Sequence, residues 1–251
     1  MNLLVVMAHP DDESMGNGGM ICRHTQAGVD VHLICATRGG AGWTGKPAGR
    51  RPDELPEIRA QELERAAALL GIRSLELWDY PDGDVSSSDQ DEITHLIAAE
   101  VQRHRPEVVV GWGPDGGYGH PDHIAVGACT DRALADFRGA HYHMAIDRPT
   151  EAAYRRAFDL VGEDGGGLPL VGFDELSVTF ILNEDELATK ASAIACHESQ
   201  VEAWREQMDS RPEVRRGVLG HDSYRRVGGP FEGIRETIGT FPELARIGGG
   251  E

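Results

Sequence analysis

The amino-terminal stretch Leu3-Leu4-Val5-Val6-Met7-Ala8-His9-Pro10-Asp11-Asp12-Glu13 changes character halfway along. Its first half is continuous and apolar, which is typical of a fully buried strand in a parallel sheet. Its second half holds one imidazole and three consecutive carboxylates, and residues 14–27 then predict a tight turn that opens a helix ending at Gly28. Because the carboxyl ends of strands form the ligand crevice of an open α/β sheet, we expect His9, Asp11 and Asp12 at its mouth.

The three adjacent carboxylates require an explanation beyond folding. They repel one another, and their burial costs free energy unless a cation or distance relieves the repulsion. A helix cap accounts for one of these acids, since Asp before a helix is common, but not for the set. A nucleotide-binding turn is the other alternative, but the glycines at 16–19 lack the G-x-G-x-x-G spacing, and the acids before them would repel a pyrophosphate.

The composition suits a globular, enzyme-sized protein. The chain has 251 residues, of which 40% are hydrophobic, and this is enough to bury a core. Its 42 acidic and 24 basic residues give a formal charge of −18, so phosphate backbones and anionic membranes are repelled. Residues 1–7 do not resemble a signal peptide, and no apolar run approaches the ~18 residues of a membrane span. We therefore expect a cytoplasmic protein with no nucleic-acid or membrane partner, whose four cysteines are reduced and buried.

Strand and helix patterns alternate along the first half of the chain. Apolar runs and helical spacing predict further strands at 29–37, 74–78 and 107–112, and helices at 55–70, 89–104 and 124–137. This alternation predicts the α/β fold class, with a Rossmann-like, doubly wound, mostly parallel sheet in a three-layer α/β/α arrangement.

Beyond residue 137 the pattern weakens. We expect strands at 140–146 and 176–182, a long helix at 184–208 and an irregular carboxyl-terminal tail at 209–251. Two loops, at 38–56 and 162–169, are long or rich in glycine. Because long loops inside a compact domain are usually functional, we expect the first of them to cover the substrate.

A second cluster of histidines and carboxylates follows the strand at 107–112. It lies in the segment GPDGGYGHPDH and contains His120, Asp122 and His123. A doubly wound sheet can bring this strand end beside the first one. Two histidines and one carboxylate with an open fourth position make a catalytic zinc site, whereas structural zinc sites are closed and rich in thiolates. The remaining carboxylate and histidine can then serve as general base and as general acid or oxyanion stabiliser.

Five segments, in order, resemble the LmbE-like, or PIG-L, family of zinc-dependent de-N-acetylases. They are AHPDDE at 8–13, IRAQELERAAALLG at 58–71, PDG at 81–83, GHPDH at 119–123 and AIACHESQ at 193–200. The family includes the deacetylases of mycothiol and bacillithiol biosynthesis and the mycothiol S-conjugate amidases. The resemblance covers roughly residues 2–205, which implies a single domain over 1–251 with a core at about 1–205 and an extension at 206–251.

The resemblance also implies roles for individual residues. The metal ligands would be His9, Asp12 and His123, with Zn²⁺ as the ion and Fe²⁺ or another divalent metal as the alternative. Asp11 would be the general base that activates water at the zinc. His120 would be the acid that helps the amine leave, and Asp122 would orient it. Tyr118 matches a tyrosine that helps hold the tetrahedral oxyanion, and local packing of a loop aromatic is its alternative.

Four further residues have expected roles around the site. Arg59 and Asp82 fall where the family grips sugar hydroxyls, although a surface salt bridge and a simple turn aspartate are the alternatives. Glu13 is expected to hold the first turn or to support a ligand. The segment around His197 matches a family pattern, with helix capping or a subunit contact as its alternatives.

The sequence thus predicts a hydrolase that removes an N-acetyl group from an N-acetylated amino sugar or a related small metabolite. Two alternatives stay open. The first is an amidase of mycothiol-type S-conjugates or of an acylated secondary metabolite, and the second is a nucleotide- or ligand-binding module with the same fold. The expected partner is a small N-acetylated substrate, and a homo-oligomer is left open.

Overall fold

The computed structural model describes residues 1–44, 51–161, 170–201, 212–228, 236–237 and 239–245. Its strands are β1 Asn2–Met7, β2 Asp30–Thr37, β3 Ser74–Tyr80, β4 Val108–Trp112, β5 Ala140–Asp147, β6 Gly172–Phe173, β7 Val178–Ile181, β8 His221–Arg226 and β9 Glu236–Thr237. Its α-helices are α1 Asp12–Met15, α2 Gly18–Gln26, α3 Leu55–Leu70, α4 Gln90–His104, α5 Gly116–Gly119, α6 Pro121–Ala133, α7 Arg148–Val161, α8 Glu184–Cys196, α9 Glu198–Val201 and α10 Pro212–Leu219.

The sheet has the strand order β3-β2-β1-β4-β5-β8-β7-β9, with β6 paired to β5. The chain runs outward from β1 through β2 to β3, then returns to place β4 on the other side of β1, and all of these pairs are parallel. The carboxyl ends of β1 and β4 therefore lie side by side at a topological switch point, where open α/β sheets bind ligands. This confirms the predicted doubly wound, mostly parallel sheet; β8 is antiparallel to both of its neighbours.

Two buried layers cover the two faces of the sheet, as the apolar sequence of β1 requires. Alternate side chains of a strand point to opposite faces. Leu3 and Val5 accordingly belong to the layer that α2, α3 and α8 cover, whereas Leu4 and Val6 belong to the layer that α4 and α6 cover. The three-layer α/β/α arrangement is thus confirmed.

Helix caps explain why some predicted boundaries agree closely with the structure. Helix α3 has the predicted bounds because Gly71 follows it in the left-handed conformation, with φ 77°. Helix α4 begins one residue after Asp89, whose carboxylate accepts the N–H groups of Asp91 and Glu92. The turn predicted to open a helix within 14–27 lies at Gly16 and Asn17, where it separates the short α1 from α2.

Helix α6 begins at Pro121, earlier than the predicted residue 124. Proline suits the first helical position because it has no N–H to satisfy there, and the His120 side chain accepts the N–H of Asp122 at 3.2 Å as an N-cap. The HPDH segment is therefore the first turn of a helix. Its polar side chains are fixed on a rigid element beside β4.

Two expectations for the second half of the chain are wrong. The predicted helix over 184–208 ends at Cys196, and the short α9 follows His197; residues 202–208 lie outside the described part. The tail expected to be irregular contains α10 and β8. Strand β8 was missed because its core face includes polar residues: Asp222 is buried in an ion pair with Lys190, whereas Tyr224 is buried in the apolar layer. Strand propensity alone does not reveal such a strand.

Within these described ranges, no helix combines the length and the apolar character needed to cross a membrane. The four cysteines are free thiols. Three of them are buried as predicted, and Cys196 is half-buried. The loop at 162–169 and residues 45–50 of the predicted covering loop lie outside the described residues.

Candidate metal and active site

His9 follows β1 and is held by two carboxylates on one side of its ring. Its Nε2 lies 3.0 Å from Asp122 Oδ2 and 3.0 Å from Asp82 Oδ1. We assign the ring proton to Nε2, because both neighbours accept hydrogen bonds. The lone pair of Nδ1 then faces His123 Nε2 at 3.1 Å.

His123 is fixed in the complementary tautomer. Its Nδ1 donates to the Gly116 carbonyl at 3.0 Å, which leaves the lone pair of Nε2 directed at His9. The ring is fully buried and stacks on Trp112, with ring centroids 3.7 Å apart. Two imidazole lone pairs therefore meet at short range, and such an arrangement needs a proton or a metal ion between them.

Asp12 supplies the third converging group. Its Oδ1 lies 3.4 Å from His123 Nε2 and its Oδ2 lies 3.7 Å from His9 Nδ1, while the backbone N–H groups of Ala8 and His9 orient the carboxylate. Tetrahedral ligands at ~2.0–2.1 Å from zinc are about 3.3 Å apart, so these separations fit a shared ion. The structure brings together the three residues that the sequence predicted as ligands.

The electrostatics of this position favour positive charge. Burial alone would lower the pKa of His9, but hydrogen bonds to Asp122 and Asp82 and the charge of Asp12 raise it to about 10. The neighbouring His123 and His9 hold the pKa of Asp12 below its usual range, although burial opposes this. A divalent cation bound by two neutral imidazoles and a carboxylate would satisfy the same demand.

His120 borders the same position. Ligand atoms of His9, His120 and His123 all lie within 4.8 Å of one another, so the described geometry offers His120 as an additional ligand. However, its Nδ1 accepts the N–H of Asp122, which puts the proton of the neutral ring on Nε2. Burial, His123 and His9 all lower the pKa of His120. This arrangement suits a group that gives up a proton better than one that binds metal.

Asp122 does not contact His120 in the way the sequence predicted. Its carboxylate is fully buried, and besides His9 it accepts the backbone N–H groups of Gly83 at 2.7 Å and Val85 at 3.0 Å. Only its backbone N–H reaches the His120 ring. The expected role is therefore corrected: Asp122 orients His9, a ligand candidate, because its carboxylate lies on the β3–α4 side of that ring.

Asp11 has an unusual backbone. Its φ is 122°, a conformation that residues with a Cβ rarely adopt and that stores strain of order 1–3 kcal/mol. Two hydrogen bonds hold it: its N–H donates to Glu13 Oε2 at 3.0 Å, and its Oδ2 accepts from Arg59 at 3.0 Å. Burial raises the pKa of Asp11, although Arg59 lowers it. Its side chain is 26% exposed, compared with 9% for Asp12, so Asp11 faces the crevice.

The polar groups of Arg59 and Asp82, the predicted sugar contacts, form hydrogen bonds within the protein. The Arg59 side chain is only 4% exposed, and its guanidinium donates to the Gly39 and Pro10 carbonyls as well as to Asp11. Asp82 contacts His9 and accepts the Ala41 N–H at 2.8 Å. Arg59 thus holds Asp11, and Asp82 holds His9. Direct contact of either residue with a sugar stays a prediction.

Tyr118 lies beside the site with its ring edge-on to two imidazoles. The ring centroids are 5.8 Å from His120 and 5.2 Å from His123. Burial, with the charges of Asp12 and Asp11, raises the pKa of Tyr118, so the phenol keeps its proton at neutral pH. It can therefore donate a hydrogen bond to an oxygen that develops negative charge.

Sequence reasoning missed the contacts made by AIACHESQ. His197 Nε2 lies 2.7 Å from Glu13, the residue that supports the Asp11 backbone, and both are buried. Burial alone would lower the pKa of His197, but Glu13 overcomes this and raises it. The Gln200 side chain bonds both the N–H and the carbonyl of Trp43. This segment therefore holds Glu13 in the amino-terminal cluster and Trp43 at the start of the covering loop. The sequence did contain one indication of the first contact: AHPDDE and AIACHESQ, which hold Glu13 and His197, both match the family.

Comparisons with known proteins found a matching family and similar individual proteins. The family described as PIG-L: GlcNAc-PI de-N-acetylase matches residues 4–134. The 1D-myo-inositol 2-acetamido-2-deoxy-alpha-D-glucopyranoside deacetylase of Kineococcus radiotolerans is 32% identical, over 97% of this chain and 83% of the relative. The enzyme of the same name from Actinosynnema mirum is 31% identical, over 94% of this chain and 95% of its own length.

Solved structures share the fold. The N,N'-diacetylchitobiose deacetylase of Pyrococcus horikoshii has a TM-score of 0.64 at 24% identity, covering 97% of this chain and 88% of its own. The 4-carboxy-2-hydroxymuconate hydratase GalB of Pseudomonas putida has a TM-score of 0.63 at 18% identity, covering 91% and 96%. A deacetylase and a hydratase can thus share this fold, which alone does not decide the reaction. The family match spans β1 to α6 and includes both clusters, and with the relatives it shows that the chain belongs to the PIG-L: GlcNAc-PI de-N-acetylase family.

Proposed function

We propose that this protein is a metal-dependent deacetylase that hydrolyses the acetamide group of an N-acetylated amino sugar. The observation that carries the proposal is the convergence of His9 Nδ1, His123 Nε2 and the Asp12 carboxylate, with Asp11 beside them. The named relatives support the substrate class, since their printed names describe the deacetylation of an acetamido sugar linked to inositol.

The metal-binding residues would be His9, Asp12 and His123, and their nitrogen and oxygen donors suit Zn²⁺ or a similar divalent ion. A bound ion would supply a Lewis acid that polarises the acetamide carbonyl and makes water more acidic. The hydrogen bonds on the far sides of the two imidazoles orient these ligands, as outer contacts do in metal sites generally.

Asp11 is the proposed general base. Arg59 contacts its Oδ2, which leaves Oδ1 to accept the proton of the attacking water. Burial raises the pKa of this carboxyl and brings it closer to neutral pH, where a base is most effective. The water oxygen bonds to the carbonyl carbon, the carbon–nitrogen bond breaks, and acetate and the amino sugar are released.

His120 and Tyr118 are the proposed partners on the opposite side of the reacting carbon. Tyr118 donates its phenolic proton as a hydrogen bond to the developing oxyanion. For this step His120 must be in its doubly protonated form, in which Nδ1 also carries a proton and the cap bond from the Asp122 N–H is given up; Nε2 then delivers a proton to the leaving nitrogen, and the ring returns to the neutral form that caps α6. Because its pKa is lowered, the protonated ring is a strong enough acid to do so readily.

Substitution of the base tests the proposal. We expect Asp11→Asn to lower kcat by about 10²–10⁴-fold while the protein keeps its metal, because the amide cannot accept the proton. His123→Ala should lose both metal and activity. Asp30→Asn, at a 43% exposed carboxylate at the amino end of β2 and away from the crevice, is the matched control and should behave like wild type. Near-normal turnover by metal-loaded Asp11→Asn would refute the assignment.

A substrate panel tests the chemical class. We expect release of acetate from an N-acetylglucosaminyl inositol to exceed release from N,N'-diacetylchitobiose, and cleavage of a thiol S-conjugate amide to be slowest. Fast cleavage of the S-conjugate would instead favour the amidase alternative. We also propose a cytoplasmic location without a nucleic-acid partner, which the formal charge of −18 supports.

A further inference from the structure

A second cluster of metal-binding side chains lies outside the catalytic crevice. It comprises Asp131 on α6 and His141 and His143 on β5. The two histidines are two residues apart on a strand and therefore point to the same face of the sheet, toward α6. Tyr142, between them, packs into the layer on the opposite face. The topology thus gathers two imidazoles and a carboxylate on one face.

The three groups are close enough to share an ion. Asp131 Oδ1 lies 2.8 Å from His143 Nε2 and 3.7 Å from His141 Nε2, and the three ligand atoms lie within 4.8 Å of one another. With metal–ligand bonds of ~2.0–2.2 Å, neighbouring ligands stand about 3–3.5 Å apart. Only small side-chain adjustments separate the observed positions from such a set.

His141 supplies an independent observation that points to a ligand. The residue is only 8% exposed, and its buried Nε2 has no hydrogen-bond partner among the described residues. Buried polar atoms normally have a hydrogen-bond partner. An unpartnered nitrogen close to two other potential metal ligands therefore indicates that a bound ion is its missing partner.

The surroundings permit an ion to enter. The Asp131 side chain is 40% exposed and opens the cluster to solvent. The nearest cross-strand cation is Arg225, which is paired with His143 in the register of β5 and β8. Its guanidinium lies over the Phe173 ring, 4.6 Å from the centroid, and is engaged there.

We propose that Asp131, His141 and His143 form a second metal site, separate from the catalytic one, that takes a divalent transition-metal ion of the Zn²⁺ class. Imidazole donors select such ions over Mg²⁺ and Ca²⁺, which prefer oxygen ligands. Water would complete the coordination on the solvent side. Since α6 also carries His123 near its start, an ion here would tie the second half of this helix to β5.

Metal stoichiometry tests the proposal without relying on catalysis. Wild-type protein and variants are dialysed against a zinc buffer, and bound zinc is measured by elemental analysis. We expect two ions per chain for wild type and one each for Asp131→Asn and His143→Asn. The matched control His95→Asn, which changes an exposed histidine of α4, should keep two. His123→Ala should keep only the second ion, so failure of this proposal and failure of the proposed function are distinguishable.

Thermal melting provides a second measurement. Asp131→Asn is expected to fold normally because its side chain is partly exposed, and to show a smaller zinc-induced rise in melting temperature than His95→Asn. Its deacetylase activity should persist with one ion bound. A single zinc per wild-type chain that is lost in His123→Ala, or two per chain in either cluster variant, would overturn the second site.

Discussion

Arg59 has two possible roles, substrate contact and positioning of Asp11, and the variant Arg59→Lys distinguishes them. The family resemblance makes it a sugar-gripping side chain, whereas the structure buries it behind Asp11 and Gly39. Lysine has one charged nitrogen in place of the planar fork, so it cannot reach Asp11 and the carbonyls of Gly39 and Pro10 together. We therefore expect lower kcat, with KM and bound metal nearly unchanged.

The size of the effect follows from the contacts that are lost. Each buried acceptor left without a hydrogen bond costs about 1–3 kcal/mol. Lysine can keep one of the three bonds, and Asp11 is partly solvated, which lowers the cost of losing its bond. We therefore expect the free energy of unfolding to fall by about 2–4 kcal/mol. Misplacement of the base by about 1 Å costs about 10²-fold in rate, so kcat should fall by about that factor.

Three measurements on purified protein decide the outcome: steady-state kinetics, bound metal by elemental analysis and denaturant unfolding. Arg73→Lys is the matched control, because Arg73 precedes β3 at the edge of the sheet away from the crevice, is 65% exposed, and its pair with Asp30 contributes little to stability. If Arg59→Lys raised KM by an order of magnitude while kcat and stability stayed at wild-type values, Arg59 would be a substrate contact, and the positioning role would be wrong.

Three further predictions concern stability and the metal site. Lys190→Met should cost about 3–5 kcal/mol in a urea titration by leaving Asp222 unpaired, and Lys190→Met with Asp222→Asn should recover much of this. Burial lowers the pKa of His24 to about 4 in the folded protein. Between pH 6.5 and 4 the unfolded chain therefore binds a proton at His24 that the folded protein does not, and the free energy of unfolding should fall by about 3 kcal/mol. In His24→Phe this fall with pH should be smaller. Gly127→Ala places a Cβ 2.6 Å from the Trp112 carbonyl oxygen, so α6 must shift and metal affinity should fall.

The fold was predictable where local signals and tertiary packing agree. The continuous apolar run of β1 predicts a buried strand, and the glycine after α3 predicts where that helix ends. Strand β8 could not be recognised, because its sequence HDSYRR is polar and its place in the sheet depends on partners far along the chain. The buried Asp222 carboxylate is satisfied by Lys190 of α8 and by the Met20 N–H of α2, and no local sequence pattern reveals these distant partners.

The meeting of the two clusters was predictable, but not all of their contacts. Both clusters follow neighbouring parallel strands, and the family resemblance singled out His9, Asp12 and His123 among their residues. The partner of the Asp122 carboxylate was wrong because a sequence cannot state which imidazole a carboxylate faces. The second cluster on β5 escaped for a related reason: the His141-Tyr142-His143 pattern is short, and Asp131 belongs to a different element.

The pairing of β1 with β4 has a consequence for how the protein folds. His9 and His123 are separated by 114 positions and meet only when these two parallel strands have paired. Closing so long a loop costs chain entropy before any native contact compensates, and such non-local pairings slow folding. We expect an ion held by the proposed ligands His9, Asp12 and His123 to bind only after these strands have paired, so a chelator should leave the refolding rate constant unchanged and accelerate only unfolding.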